Sequence, residues 1–246
     1  MDEKKEPDWS AIGRRSKNKG KTGERRLAKL LTEFTGEGFR KIPGSGGYNK
    51  TGGVTVAEHK FCGDVICNSA DFAFCMEAKN RPSDFNLAAI TTAPESAQFT
   101  SWWYQVNVEA KHVNLLPLLY FKLGNSTNNV VKNDYLAMTL TVANYLGMSN
   151  KVLHASLCVY DDPVWVTINV KIKGKAKKEQ AKLLVKLPNP WLISWVVFSR
   201  HADKSKLFVL PDWVDKENNS FQILDRNGPD GVIWPKETLG NNSIII

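Results

Sequence analysis

A chain of 246 residues is long enough for one large domain or two modest ones, with a core that needs no cross-link to fold. A hydrophobic share of 42% and a charged share of 24% are ordinary globular values, which exclude a wholly disordered chain and a coiled coil. Lys and Arg outnumber Asp and Glu by 33 to 25, a net charge of +8, so a polyanion such as nucleic acid is the first partner to consider.

Residues 1–18 are polar and without periodicity, and read as a flexible basic arm. They carry no apolar stretch of the signal-peptide kind. No window of about 18 apolar residues occurs, so no membrane partner is expected. The four cysteines are Cys62, Cys67, Cys75 and Cys158, too few and too unevenly placed for a disulfide framework. They suggest a reducing, cytoplasmic setting. From Arg14 to Lys29 the bases Arg14, Arg15, Lys17, Lys19, Lys21, Arg25, Arg26 and Lys29 are opposed by Glu24 alone. This run is either a solvated face or a set of phosphate contacts.

Leu27, Leu30, Leu31 and Phe34 recur at helical period, with Thr22 as a plausible N-cap and Gly36 and Gly38 as terminators. Glu24 then sits on the first turn, at the edge of the core-facing stripe. Gly44-Ser45-Gly46-Gly47 and Gly52-Gly53 predict a loop with little side-chain cover, where backbone amides can approach a phosphate. Residues 63–67 and 72–79 read as two short strands joined by a turn. On the second strand Cys75, Glu77 and Lys79 share one face, and Phe74, Met76 and Ala78 the other. Phe99, Trp102, Trp103, Val106 and Ala110 predict a second helix with those tryptophans in the core, and Leu115 to Leu123 a further strand.

Beyond Gly124 the segment 125–129 reads as a linker. Residues 135–146 suit a short helix or a strand, and 164–173, 183–187, 193–199 and 207–210 read as strands. Lys173, Lys175, Lys177 and Lys178 crowd between two of these. The expected organisation is therefore an α/β core over residues 19–123 with a β-rich C-terminal extension or domain over 124–246.

Glu24, Asp64 and Glu77 place three carboxylates on neighbouring elements, a donor set suited to a hard divalent cation. Lys79, beside them, can orient a water or stabilise charge on a phosphate in transit. His59, Cys62, Cys67 and Cys75 match zinc spacing only loosely, and Cys67 and Cys75 read better as small buried apolar side chains. His201 and Asp203 read as loop surface.

The set Glu24, Gly63-Asp64 and Glu77-Ala78-Lys79, in this element order, resembles the PD-(D/E)xK nuclease superfamily. Lys19-Gly20-Lys21-Thr22-Gly23-Glu24-Arg25-Arg26-Leu27 and the Gly44–Gly47 loop are similar to segments of archaeal-type and phage-type Holliday junction resolvases. The resemblance covers residues 19–123. It implies a restriction-endonuclease-like core, a mixed sheet flanked by helices. It implies Mg²⁺ as cofactor, held by Glu24, Asp64 and Glu77, with Mn²⁺ as a substitute. Catalytic roles would fall to Glu24, Asp64, Glu77, Lys79 and Ser45. DNA contacts would fall to Arg14, Arg15, Lys17, Lys19, Lys21, Arg25, Ser45 and a glutamine of the second helix, Gln105 or Gln98. The implied activity is hydrolysis of branched DNA by a homodimer, in a phage or prokaryotic host. A restriction-like or recombination-associated duplex nuclease and a non-catalytic DNA-binding protein stay open as alternatives.

Overall fold

The computed structural model describes residues 9–42, 62–81, 97–123, 133–148, 157–158, 164–171 and 180–225. The glycine-rich loop with Ser45, the lysine cluster at 173–178 and the segment 125–129 lie outside the described residues.

Helix α1 spans Trp9–Thr35, so it starts well before Thr22, within the stretch read as an arm. It ends where Gly36, at φ 83°, turns into the left-handed region and donates its N–H to the Thr32 carbonyl at 2.9 Å. Strand β1 (Phe39–Lys41) pairs antiparallel with β2 (Val65–Cys67) in a small ribbon. Strand β3 (Phe74–Arg81) pairs in parallel with β4 (Leu116–Leu123), and helix α2 (Gln98–Val113) lies between them in the chain. Parallel neighbours require such a crossover connection.

The sheet runs past residue 123. Strand β5 (Asp134–Thr139) pairs with β4, β9 (Pro190–Ser194) with β5, and β6 (Leu157–Cys158) with β9, each antiparallel. The order is β3-β4-β5-β9-β6, a mixed sheet with β3 at one edge. Strands β7 (Val164–Lys171), β8 (Gln180–Leu187) and β10 (Gln222–Asp225) form a separate antiparallel sheet in the order β10-β8-β7.

Residues 135–146 hold both a strand and a helix, because Thr139 ends β5 and its Oγ1 accepts the Val142 N–H, capping helix α3 (Leu140–Tyr145). The stretch 193–199, read as a strand, changes the same way at Ser194. That residue caps α4 (Trp195–His201), which buries Trp195 and Phe198 against Phe34 of α1. Lys204–Phe208 forms a 3₁₀ turn rather than a strand, capped by Asp203. Val214–Ser220 forms α5.

The main sheet is covered on both faces. Leu27 and Leu31 of α1 pack with Phe74, Met76, Leu118, Tyr120 and Met138 on one side. Trp102, Trp103 and Val106 of α2 pack with Leu119, Phe121 and Leu192 on the other, together with Val166, Val185 and Leu187 of the second sheet. Fully burying each large side chain of this kind contributes about 1.5–3 kcal/mol.

Candidate active site

The candidate site lies where the β1–β2 ribbon meets the edge of β3. Gly63 makes the approach, at φ 71° and with no room for a side chain, since a Cβ there would fall 2.1 Å from the Met76 carbonyl oxygen. Asp64 then takes over the edge of β3. Its N–H donates to the Met76 carbonyl at 2.8 Å, and its Oδ2 accepts the Ala78 N–H at 2.9 Å. On its other side the Asp64 carbonyl accepts the Ile42 N–H at 2.9 Å. A carboxylate thus substitutes for the backbone of a missing strand, and its position is fixed from three directions.

Glu77 points toward α2, as the alternation along β3 predicts, and is only 4% exposed. Lys79 lies two residues on, with Nζ 2.5 Å from Glu77 Oε1. Gln105 closes the triangle: its Oε1 accepts from Lys79 Nζ at 2.8 Å and its Nε2 donates to Glu77 Oε1 at 2.9 Å. The same amide nitrogen donates to Glu109 Oε1 at 3.0 Å, one helical turn further along α2. Gln98, at the start of α2, is exposed and outside this cluster.

Burial pushes the Glu77 carboxyl well above its ordinary range. The negative charge of Asp64 adds to that, and Lys79 works against it. Glu109 is raised as well, by burial first and by the Asp64 charge, with the Gln105 hydrogen bond opposing. These carboxylates therefore repel one another in a poorly solvated place. A divalent cation on hard oxygen donors such as these would relieve both costs, although among the described residues Glu24, Asp64 and Glu77 do not gather their carboxylate oxygens into a three-ligand cluster.

Glu24 sits on α1 where the helix crosses the far end of β3. A Cβ at the preceding Gly23 would lie 3.0 Å from Asn80 Cβ, so a small residue is needed for that approach. Its carboxylate forms an ion pair with Lys41 of β1 at 3.7 Å, and the next residue, Ile42, is the one bonded to Asp64. Lys21 and Arg25 are exposed on α1. Arg14, Arg15, Lys17 and Lys19 lie on the same helix, and their side chains are outside the described residues. Arg26, one of the basic run, points inward instead. It makes three hydrogen bonds to the fully buried Asp134, which also accepts from Tyr120 Oη at 2.6 Å.

Two features escape the sequence reading. Glu109 is a carboxylate on the buried side of α2, and its place between Val106 and Ala110 of the apolar stripe is the signal that points to it. The other is a correction: no disulfide is expected from four unevenly placed cysteines, yet Cys62 and Cys75 are joined as one, with Cα atoms 5.2 Å apart. Cys67 is free and buried, as expected of a small apolar side chain. Trp102 and Trp103 are core residues, Trp195 is buried, and Trp165 is half exposed beneath Lys186.

The chain matches the family described as phage putative PDDEXK endonuclease over residues 15–180. It is 30% identical over 110 residues to Protein D14 of Escherichia phage T5, a stretch covering 44% of this chain and 64% of that relative. The match therefore spans less than two-thirds of the relative's own length. No solved structure matches the chain. Among the described residues no helix is long and apolar enough to cross a membrane.

Proposed function

Since the chain belongs to the phage putative PDDEXK endonuclease family, we propose that it is a Mg²⁺-dependent DNA endonuclease acting on four-way junctions. The observation that carries the reading is the closed Glu77–Lys79–Gln105 triangle beside Asp64. Asp64 and Glu77, with Glu24 from α1, are the proposed cation ligands, and Mn²⁺ substitutes for Mg²⁺. When bound, such an ion supplies Lewis-acid polarisation of a phosphate oxygen. Lys79, held by Glu77 and Gln105, presents a fixed positive charge to the phosphoryl group as negative charge builds on it. Gln105 keeps that ammonium from swinging away, and α2 shields the triangle from bulk water.

The basic face of α1 tracks the DNA backbone through Lys21 and Arg25, with Arg14, Arg15, Lys17 and Lys19 preceding them on the same helix. Ser45 joins from the glycine-rich loop. The junction substrate rests on the likeness of residues 19–27 and 44–47 to junction resolvases. One site per chain and a two-fold symmetric substrate call for a homodimer. Residues 124–246 are proposed to contribute substrate selection as well as strands. The cytoplasm of the phage's host is the proposed place of action.

The test is cleavage of a synthetic four-way junction and a matched linear duplex, in Mg²⁺, Mn²⁺ or EDTA, by wild type and Glu77→Ala. Paired symmetric nicks on the junction, absent in EDTA and in the variant, are expected. Equal cutting of both substrates would replace the junction reading with a duplex nuclease. Cutting of neither substrate in either ion would refute the nuclease reading.

A further inference from the structure

Cys62 and Cys75 occupy a telling place. Their separation of 13 residues is also that of Gly63 from Met76 and of Asp64 from Glu77. The Gly63–Met76 contact is an isolated parallel bridge, and the cysteine pair and the Asp64–Glu77 pair flank it at the same sequence offset. The sulfur bond is therefore a cross-link two residues upstream of Asp64 and of Glu77, two of the three proposed cation ligands. It is walled by Ala110, Leu115 and Val113, and Cys75 is fully buried.

Glu109 connects this cross-link to the catalytic triangle. Both sulfurs and a Glu109 carboxylate oxygen lie within 4.8 Å of one another. Glu109 Oε1 holds the Gln105 amide and the Gly63 backbone also bonds this carboxylate, whereas its Oε2 is buried with no hydrogen-bond partner among the described residues. A disulfide offers the Glu109 carboxylate no donor, and a thiol does. Breaking the bond also forces the sulfurs apart to van der Waals contact, which must widen the spacing of residues 62 and 75 or turn their side chains.

We propose that Cys62 and Cys75 form a thiol–disulfide control element for the cation site, the oxidised pair fixing the backbones that carry Asp64 and Glu77 against each other and the reduced pair loosening them. The inference rests on the reading of Asp64 and Glu77 as cation ligands. Oxidation removes two protons and two electrons from the two thiols and forms one S–S bond. A small-molecule disulfide such as oxidised glutathione accepts them, its own S–S bond breaking to give two small thiols. Attack begins at Cys62, the less buried of the pair. A cross-link at this position pre-organises the ligands, as closing a short loop lowers the freedom that binding must remove. The Cα separation of 5.2 Å falls in the disulfide range.

The test equilibrates the full chain in glutathione buffers from reducing to oxidising. Free thiols are counted by alkylation of the denatured protein and mass measurement, and Mn²⁺ affinity is measured by calorimetry without DNA. Expected are two fewer alkylated thiols on oxidation and Mn²⁺ binding tighter by about threefold or more. The Cys62→Ser/Cys75→Ser variant should bind as the reduced protein does in every buffer. An unchanged thiol count, or equal Mn²⁺ affinity in states shown to differ in thiol count, would overturn the proposal. So would tight Zn²⁺ binding by the reduced pair that survives Glu77→Ala, which would make the cluster a metal site instead. Redox-dependent Mn²⁺ binding by a protein that cuts no DNA would leave this inference standing and remove the nuclease reading.

Discussion

Replacing Arg26 by methionine strips the buried Asp134 carboxylate of its cationic partner. Asp134 is fully enclosed and accepts from Arg26 Nε at 2.9 and 3.1 Å, from Nη2 at 2.5 Å, and from Tyr120 Oη at 2.6 Å. The hydrogen bonds to Asp134 raise Arg26 above its usual value, and burial raises Tyr120. In the variant a carboxylate with no water retains one neutral donor. Breaking one side of a buried pair in this way costs about 3–5 kcal/mol. At about 2–4 °C per kcal/mol for a chain of this size, Tm should fall by about 6–20 °C. Asp134→Leu should cost less, because it leaves no buried charge and the Arg26 side chain, 17% exposed, has a path to water. The double variant Arg26→Met/Asp134→Leu should lie closer to wild type than Arg26→Met does, since an apolar pair of similar volume can replace a buried ion pair at little cost. Urea unfolding of all four proteins forms the cycle. A loss below about 1 kcal/mol for Arg26→Met, or a double variant as unstable as the sum of the singles, would refute the buried-pair account.

Glu77→Gln should stabilise the metal-free protein, and more so as pH rises. The folded carboxyl titrates above its ordinary value, so stability is unaffected by its ionisation below about pH 4.5, falls as pH climbs toward the raised value and levels off above it. Thermal melts in EDTA at pH 4.5 and pH 8 check this, and an equal gain at both pH values would contradict it. Asp64→Asn retains an oxygen for the Ala78 N–H and should keep the fold while losing Mn²⁺ binding. Asp64→Ala should lose about 1–3 kcal/mol as well, because that N–H is left unpaired on the sheet edge. Gln105→Leu should lower cleavage about 10²-fold with DNA affinity unchanged, read from single-turnover rates and a binding titration. A fall in affinity with the rate intact would make Gln105 a DNA contact instead.

What could be read in advance was local. The stripe Leu27, Leu30, Leu31 and Phe34 and the alternation of Cys75, Glu77 and Lys79 are set by helix and strand period, and both orient side chains as expected. The α2 stripe placed Trp102 and Trp103 in the core for the same reason. Partners distant in the chain were not legible. Arg26 reads as one more base in a basic run until Asp134, 108 residues away, is folded against it. Glu109 interrupts an apolar stripe, a visible sign, but its meaning depends on Gln105 one turn earlier and Gly63 across the gap. At Thr139 and Ser194 a run of strand-forming residues passes into a helix, because a capping side chain and the burial of Val142 or Phe198 outweigh β propensity.

The position of β3 explains why the site forms where it does. As an edge strand it presents unpaired backbone groups, which proteins must cover. Met76 and Ala78 find their partners in Asp64, whose N–H and carboxylate take the place of two rungs of a ladder. The cover is short because Gly63 turns the chain away, and among the described strands β4 is the main-sheet neighbour of β3. A strand pairing fully along this edge would have spent the Asp64 side chain's place on backbone and closed the approach to Glu77. The other strands carry the cost of that opening: β5, β9 and β6 extend the sheet on the far side of β4, so the core stays large while one edge is left for chemistry. The segment beyond residue 123 is in this sense part of the scaffold that makes an edge-strand site affordable, whatever else it recognises.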